Sequence, residues 1–274
     1  MKNIIAAVDF SAVSANAARY AVKLAEFYKC NLWLYHAYQL PVTATEIGYP
    51  FVNAAELENR ANFQMEELVK ELFIIPKEPV NVSSKIDLED FEGGLLSFCD
   101  RIKADMLVMG ISGKTGLQKI LPGSNTIYAI QHLPYPVLVV PPEASFSAYW
   151  KIGLAVDYKN PVSTHVTDFV NSITTAFMAS LYIINVDWKD EHHTDADREQ
   201  QTLLRQHLTT NNVHFRSLLS EDVATAIHEF ADEEKIELLI TLPRKHNFLE
   251  RLFGSSHTPG LLQQTTTPVL CILE

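Results

Sequence analysis

The chain has 274 residues, 47% apolar and 20% charged, a balance that fits a folded protein with a sizeable core and excludes an intrinsically disordered one. No run of eighteen apolar residues occurs, so no membrane-spanning helix is expected. The net charge of −11, from 22 basic and 33 acidic residues, argues against nucleic acid and anionic membranes as partners.

The first apolar run, Ile4-Ile5-Ala6-Ala7-Val8, is cut short by Asp9 and does not read as a secretory signal. Cys30, Cys99 and Cys271 lie far apart with no Cys-x-x-Cys, which predicts reduced thiols and a cytoplasmic protein. Residues 3–8 predict a buried parallel strand. Ala17, Tyr20, Ala21, Leu24 and Tyr28 then recur three or four apart, as on one helix face. Residues 31–37 predict a second strand. Ala61, Met65, Leu68, Val69 and Leu72 form a second helical stripe. Residues 80–86 predict a third strand, and Leu95, Phe98, Cys99 and Ile102 a third helix. Residues 106–109 predict a fourth strand, a helix follows Ser124, and residues 136–140 predict a fifth strand. The alternation implies an α/β fold, a parallel sheet with helices on both faces.

The order then repeats. Ile4-Ile5-Ala6-Ala7-Val8-Asp9 returns as Ile152-Gly153-Leu154-Ala155-Val156-Asp157, and Pro136-Val137-Leu138-Val139-Val140 as Pro268-Val269-Leu270-Cys271-Ile272. Strands are expected near 151–156, 181–186, 213–218, 237–241 and 268–273. The offset shrinks along the chain, so the first copy holds an insertion, expected within residues 41–57. Pro141-Pro142-Glu143-Ala144-Ser145 marks the junction, giving domains 1–144 and 145–274.

In an open parallel sheet, ligands bind beyond the carboxyl ends of the strands, where strand order reverses. Asp9 ends the first strand. Gly110 ends the fourth and opens a stretch containing Gly113, Gly123, Ser124 and Asn125. Bare backbone at glycines lets amide N–H groups approach a phosphate, and a helix starting near Ser124 offers its positive end. Singly, each glycine reads as a turn and Ser124 as a cap; grouped at one strand end, they predict a phosphate site. The Walker and Rossmann glycine patterns are both absent. A cradle without the Walker lysine predicts slow hydrolysis or none.

Gly110-x2-Gly113-x9-Gly123-Ser124, with Val8-Asp9-Phe10-Ser11 and Pro136-Val137-Leu138-Val139-Val140, resembles the universal stress protein family. The resemblance covers nearly the whole chain as two tandem domains. It implies five-stranded sheets of order 3-2-1-4-5 and ATP as ligand, with or without Mg²⁺. By that resemblance Asp9 lies near ribose or a phosphate-bound metal, the backbone of Ala37 and Tyr38 faces adenine, and Gly110 meets ribose. Gly113, Gly123, Ser124 and Asn125 hold phosphates. Family members associate through their last strands, so the two copies are expected to pair within this chain. A homodimer and an unidentified protein partner are further possibilities that the resemblance raises.

The second copy departs from the motif. Thr241 and Arg244 stand where Gly110 and Gly113 stand in the first; Asp157 and Gly254-Ser255 are kept. It is expected to be a degenerate partner. A weak ATPase and a scaffold that binds no nucleotide are the alternatives. The acidic, His-containing stretch at 187–197 reads as a solvated loop and helix start ahead of a metal site, and the basic cluster Arg244-Lys245-His246 with Arg251 as a solvated loop ahead of an anion site. Cys99 falls on an apolar helix face and reads as core. No Gly-x-Ser-x-Gly elbow occurs.

Overall fold

The structure, a computed structural model, describes residues 1–39, 54–88, 90–111, 123–187, 195–243 and 260–274. In the first half the order is β1 (Asn3–Ala7), α1 (Ala12–Tyr28), β2 (Asn31–Ala37), α2 (Ala54–Phe73), β3 (Val82–Asp87), α3 (Phe91–Ile102), β4 (Met106–Gly110), α4 (Ser124–His132) and β5 (Val137–Val140). The second half runs β6 (Lys151–Val156), α5 (Thr164–Phe177), β7 (Ser180–Asp187), α6 (Asp195–His207), β8 (Val213–Leu219), α7 (Val223–Glu234), β9 (Leu238–Thr241), α8 (Leu261–Gln264) and β10 (Val269–Cys271). Strand bounds fall within two residues of those expected from the sequence. The expected insertion at 41–57 is helical from Ala54 onward, and its remainder lies outside the described residues. There α2 has 20 residues where its counterpart α6 has 13.

All ten strands form one sheet, in the order β3-β2-β1-β4-β5-β10-β9-β6-β7-β8. Each half therefore has the order 3-2-1-4-5. Every pairing is parallel except β5 with β10, which is antiparallel and joins the halves.

Alternation along the strands builds two cores. Ile4, Ala6 and Val8 face one layer, with Met106, Val108, Leu138 and Leu270; Ile5 and Ala7 face the other, with Leu107, Met109, Val137 and Val269. Residues of α1, α2, α5 and α6 pack on the first face, and residues of α3, α4, α7 and α8 on the second. Burial on both faces is why the central strands read as continuous apolar runs. The edge strands β3 and β8 are less buried and carry charge, Lys85 paired with Asp87 on one and Arg216 on the other. Such charge blunts edge-to-edge pairing.

The junction between the halves is aromatic. Phe27 of α1 stacks on Phe177 of α5 with ring centroids 4.1 Å apart, and Phe146 and Tyr149 pack beside them. Asn16 of α1 donates its side-chain N–H to the carbonyls of Pro141 and Ala144, anchoring the linker.

Cys30, Cys99 and Cys271 are all free and buried, Cys99 in the core face of α3. Among the described residues, no helix is long and apolar enough to cross a membrane.

Candidate functional site

A cavity of about 190 Å³ opens between the carboxyl ends of β1 and β4, where strand order reverses. It is bordered by Asp9, His36, Ala37, Gly110, Gly123, Ser124 and Asn125, together with Ser11, Val13, Ser14, Phe91 and Thr126. Six of the sequence-derived residues thus converge on it. Tyr38 does not border it: its amide N–H donates to Asp87 O and its side chain lines a separate hollow against α2. Gly113 lies outside the described residues.

Asp9 is set by a tight turn. Its Oδ1 accepts from the amide of Ser11, whose side chain caps α1 by accepting from the amide of Ser14. Between them Phe10 has φ 62°, in the left-handed region that a bulky residue enters at a cost of about 1–2 kcal/mol. Burial pushes the Asp9 carboxyl up, but hydrogen bonds from Ser11 and Ser14 outweigh it and hold it below the ordinary carboxylate value. At neutral pH Asp9 is ionised.

Strand geometry positions Ala37. Val8 donates its amide to Tyr35 O, and Tyr38 donates to Asp87 O on the opposite side. Alternation then turns the N–H and C=O of Ala37 to the β1 side, past the end of that strand.

The opposite wall is the start of α4. Helices α1, α3, α5 and α7 have Ser or Asp side chains as caps, whereas α4 starts at Gly123 with no side-chain cap. Its first amides are thus left without a side-chain acceptor, at the positive end of the helix dipole. Thr126 donates its hydroxyl to Gly110 O, fastening α4 to the end of β4. These features fit an anion such as a phosphate.

Gly110 has a second reason to be glycine. A Cβ there would lie 2.7 Å from Val13 Cγ1 and 2.9 Å from Val13 O, so β4 and the first turn of α1 meet only because the side chain is missing. Close packing alone requires glycine here.

His36 was missed by motif reading. It borders the cavity, and its Nδ1 lies 2.8 Å from Val8 O. Its place beside Ala37, at the end of a strand adjoining the one that Asp9 follows, was the available signal.

The second half is built differently. Asp157 accepts from the Lys159 amide and from the Asn160 side chain. Thr241, the counterpart of Gly110, is fully buried, with its hydroxyl directed at Cys271 Sγ. A cavity of about 170 Å³ lies beside Asp157, but its walls are the loop after β6 and α6, with Tyr158, Pro161, Leu204 and His207; no residue of β9 or α8 borders it. Arg244, Gly254 and Ser255 lie outside the described residues. Of the acidic stretch, Asp187 ends β7 and Asp195 and Asp197 occupy the first turn of α6. Among the described residues no three His, Cys, Asp or Glu side chains gather as a metal site would require.

The family model described as "Universal stress protein family" matches residues 1–141 and, a second time, residues 149–272. The chain belongs to that family. A universal stress protein of Methanocaldococcus jannaschii is 34% identical to it over 148 residues, covering 51% of this chain and 81% of that protein. Among solved structures, a universal stress protein from Archaeoglobus fulgidus superposes with a TM-score of 0.66 at 13% identity, covering 98% of this chain and 94% of that one. One described as a putative universal stress protein from Pseudomonas aeruginosa gives 0.62 at 15% identity, covering 100% and 93%. At such identities the likeness is one of fold. This universal stress protein thus carries two family units in one sheet, with Gly110 at the end of β4 where the second unit has Thr241 at the end of β9.

Proposed function

We propose that residues 1–144 bind ATP or a related adenine nucleotide and that residues 145–274 form a degenerate partner completing the pair. The observation that carries this reading is the convergence of Asp9, Ala37, Gly110, Gly123, Ser124 and Asn125 on one cavity at the strand-order switch. Adenine meets the backbone of Ala37. Asp9, ionised, takes a ribose hydroxyl or a phosphate-bound Mg²⁺. The uncapped start of α4, with Ser124, Asn125 and Gly113, takes the phosphates. The degeneracy is supported by the buried Thr241 and by Arg244 at the position of Gly113.

The test is calorimetric titration of the full chain with ATP, because cutting between the halves would bare β5 and β10. The expected result is one ATP per chain, with binding lost in Asp9→Ala. Two equal sites would refute the degeneracy, and no binding at millimolar ATP would refute the reading as a whole. Multiple turnover that disappears in Asp9→Ala would make the protein a slow ATPase instead.

A further inference from the structure

The cavity is polar in two unlike ways. At the α4 end its groups are donors: backbone amides and the Ser124 hydroxyl. At the β1–β2 end stand Asp9, an ionised acceptor, and His36. The role of His36 is set by its neighbours. A carbonyl oxygen only accepts, so the 2.8 Å contact with Val8 O puts the proton on Nδ1. Nε2 then carries a lone pair. Burial lowers the His36 pKa, against smaller raising effects of the Val8 bond and of Asp9, so the ring is neutral at pH 7. The ring is held by Phe10, centroids 4.4 Å apart, and by Tyr38, nearly parallel at 6.3 Å. Its tautomer and its position are both fixed before any ligand arrives.

We infer that His36 sets specificity at this site, its Nε2 accepting a hydrogen bond from an N–H or O–H group of the nucleoside part of the ligand. The inference rests on the proposed nucleotide reading and adds to it the chemistry selected at the end away from the phosphates. A site offering a fixed acceptor rejects an analogue that lacks the matching donor, because the acceptor is then left unpaired. The donor is either the exocyclic amine of the base or a sugar hydroxyl.

The test uses the full chain, four ligands and two variants. The ligands are ATP, its analogue without the 6-amino group, and the 2′-deoxy and 3′-deoxy analogues. His36→Asn keeps an N–H near the Nδ1 position for Val8 O and places nothing at Nε2. His36→Gln places an amide near Nε2. The wild-type protein should bind one donor-deleted analogue about tenfold more weakly than ATP, the worth of one hydrogen bond. Which analogue fails identifies the base or the sugar as the source. In His36→Asn, ATP should weaken about tenfold and the preference over that analogue should vanish, while His36→Gln restores part of it. The ratio is taken within each variant, so a general loss of affinity does not mimic the result. Undiminished preference in His36→Asn, or no preference in the wild type, overturns the His36 assignment and leaves the nucleotide reading standing. If the wild type binds no ATP, the nucleotide reading fails and the assignment falls with it.

Discussion

Leu138 pairs with Leu270, its own counterpart in the repeat. On either side, Val137 faces Cys271 and Val139 faces Val269, pairs that exchange under the same operation. A pseudo-twofold axis therefore passes between the two leucines, and the junction is self-complementary in the way of a symmetric dimer. Each half hides the open strand edge of the other, edges that would otherwise template association with other chains.

The segment linking the halves has no counterpart in the repeat. The hydroxyls of Tyr20 and Tyr149 lie 2.6 Å apart and buried, joining α1 to the segment before β6. Tyr149→Phe should leave the Tyr20 hydroxyl buried without this partner and destabilise the protein by about 1–3 kcal/mol in urea unfolding. Replacing both by Phe should recover most of that loss. Single variants as stable as the wild type would show that the pair contributes nothing.

Gly110→Ala should be costly. The added carbon meets Val13 backbone oxygen at 2.9 Å, which no rotamer change relieves. We expect a loss of about 2–3 kcal/mol, together with weakened ATP binding, because the turn carrying Asp9 leads into that same first turn of α1. Gly153→Ala is the comparison: its nearest contacts are the side-chain tips Ile184 Cδ1 and Leu239 Cδ2, both at 3.0 Å, which can shift. It should cost clearly less. Equal unfolding midpoints for the two variants would contradict the packing account.

Helix α5 is followed by the cap residue Met178, which has φ 51° and is 82% exposed. The left-handed cap conformation suits glycine, and the side chain there has little packing to lose. Met178→Gly should raise stability by about 1 kcal/mol, read as a higher urea midpoint with no change in ligand affinity. A lower midpoint would mean that the exposed side chain makes a contact worth more than the backbone strain.

Burial raises the thiols: Cys30 to about 11, and Cys99 and Cys271 to about 12, from an ordinary 9.0. All three should resist a thiol reagent at pH 8 in the folded protein and react once it is unfolded in guanidinium. The linkage has a definite sign. Each raised group adds stability that is complete below pH 9, and this is lost as pH climbs through 11 to 12. Fast labelling of the native protein at pH 8 would overturn this account.

Asp9 and Gly123 were legible in the sequence because each stands at the end of an apolar run or the start of an expected helix, and such runs are local patterns, whereas Ala37 was indicated by the family resemblance alone. Gly110 was found for one reason and proved to serve another, since Val13 reaches it only when β4 lies beside α1. His36 was not legible as a site residue: its tautomer depends on a carbonyl of a neighbouring strand. The 41–57 insertion was found as a length difference, but its continuation as part of α2 was not, because turn-forming residues masked the helix start.

By itself the sequence determined the duplication, the strand and helix order, and the loss of Gly110 and Gly113 from the second copy. These follow from apolar spacing and motif, which neighbouring residues write together. Only the tertiary structure showed that the expected pairing of the last strands is antiparallel, with Leu138 opposite Leu270, and that the cavity beside Asp157 is walled by α6. Those outcomes depend on contacts between residues far apart in the chain, where no local spacing records which surfaces meet.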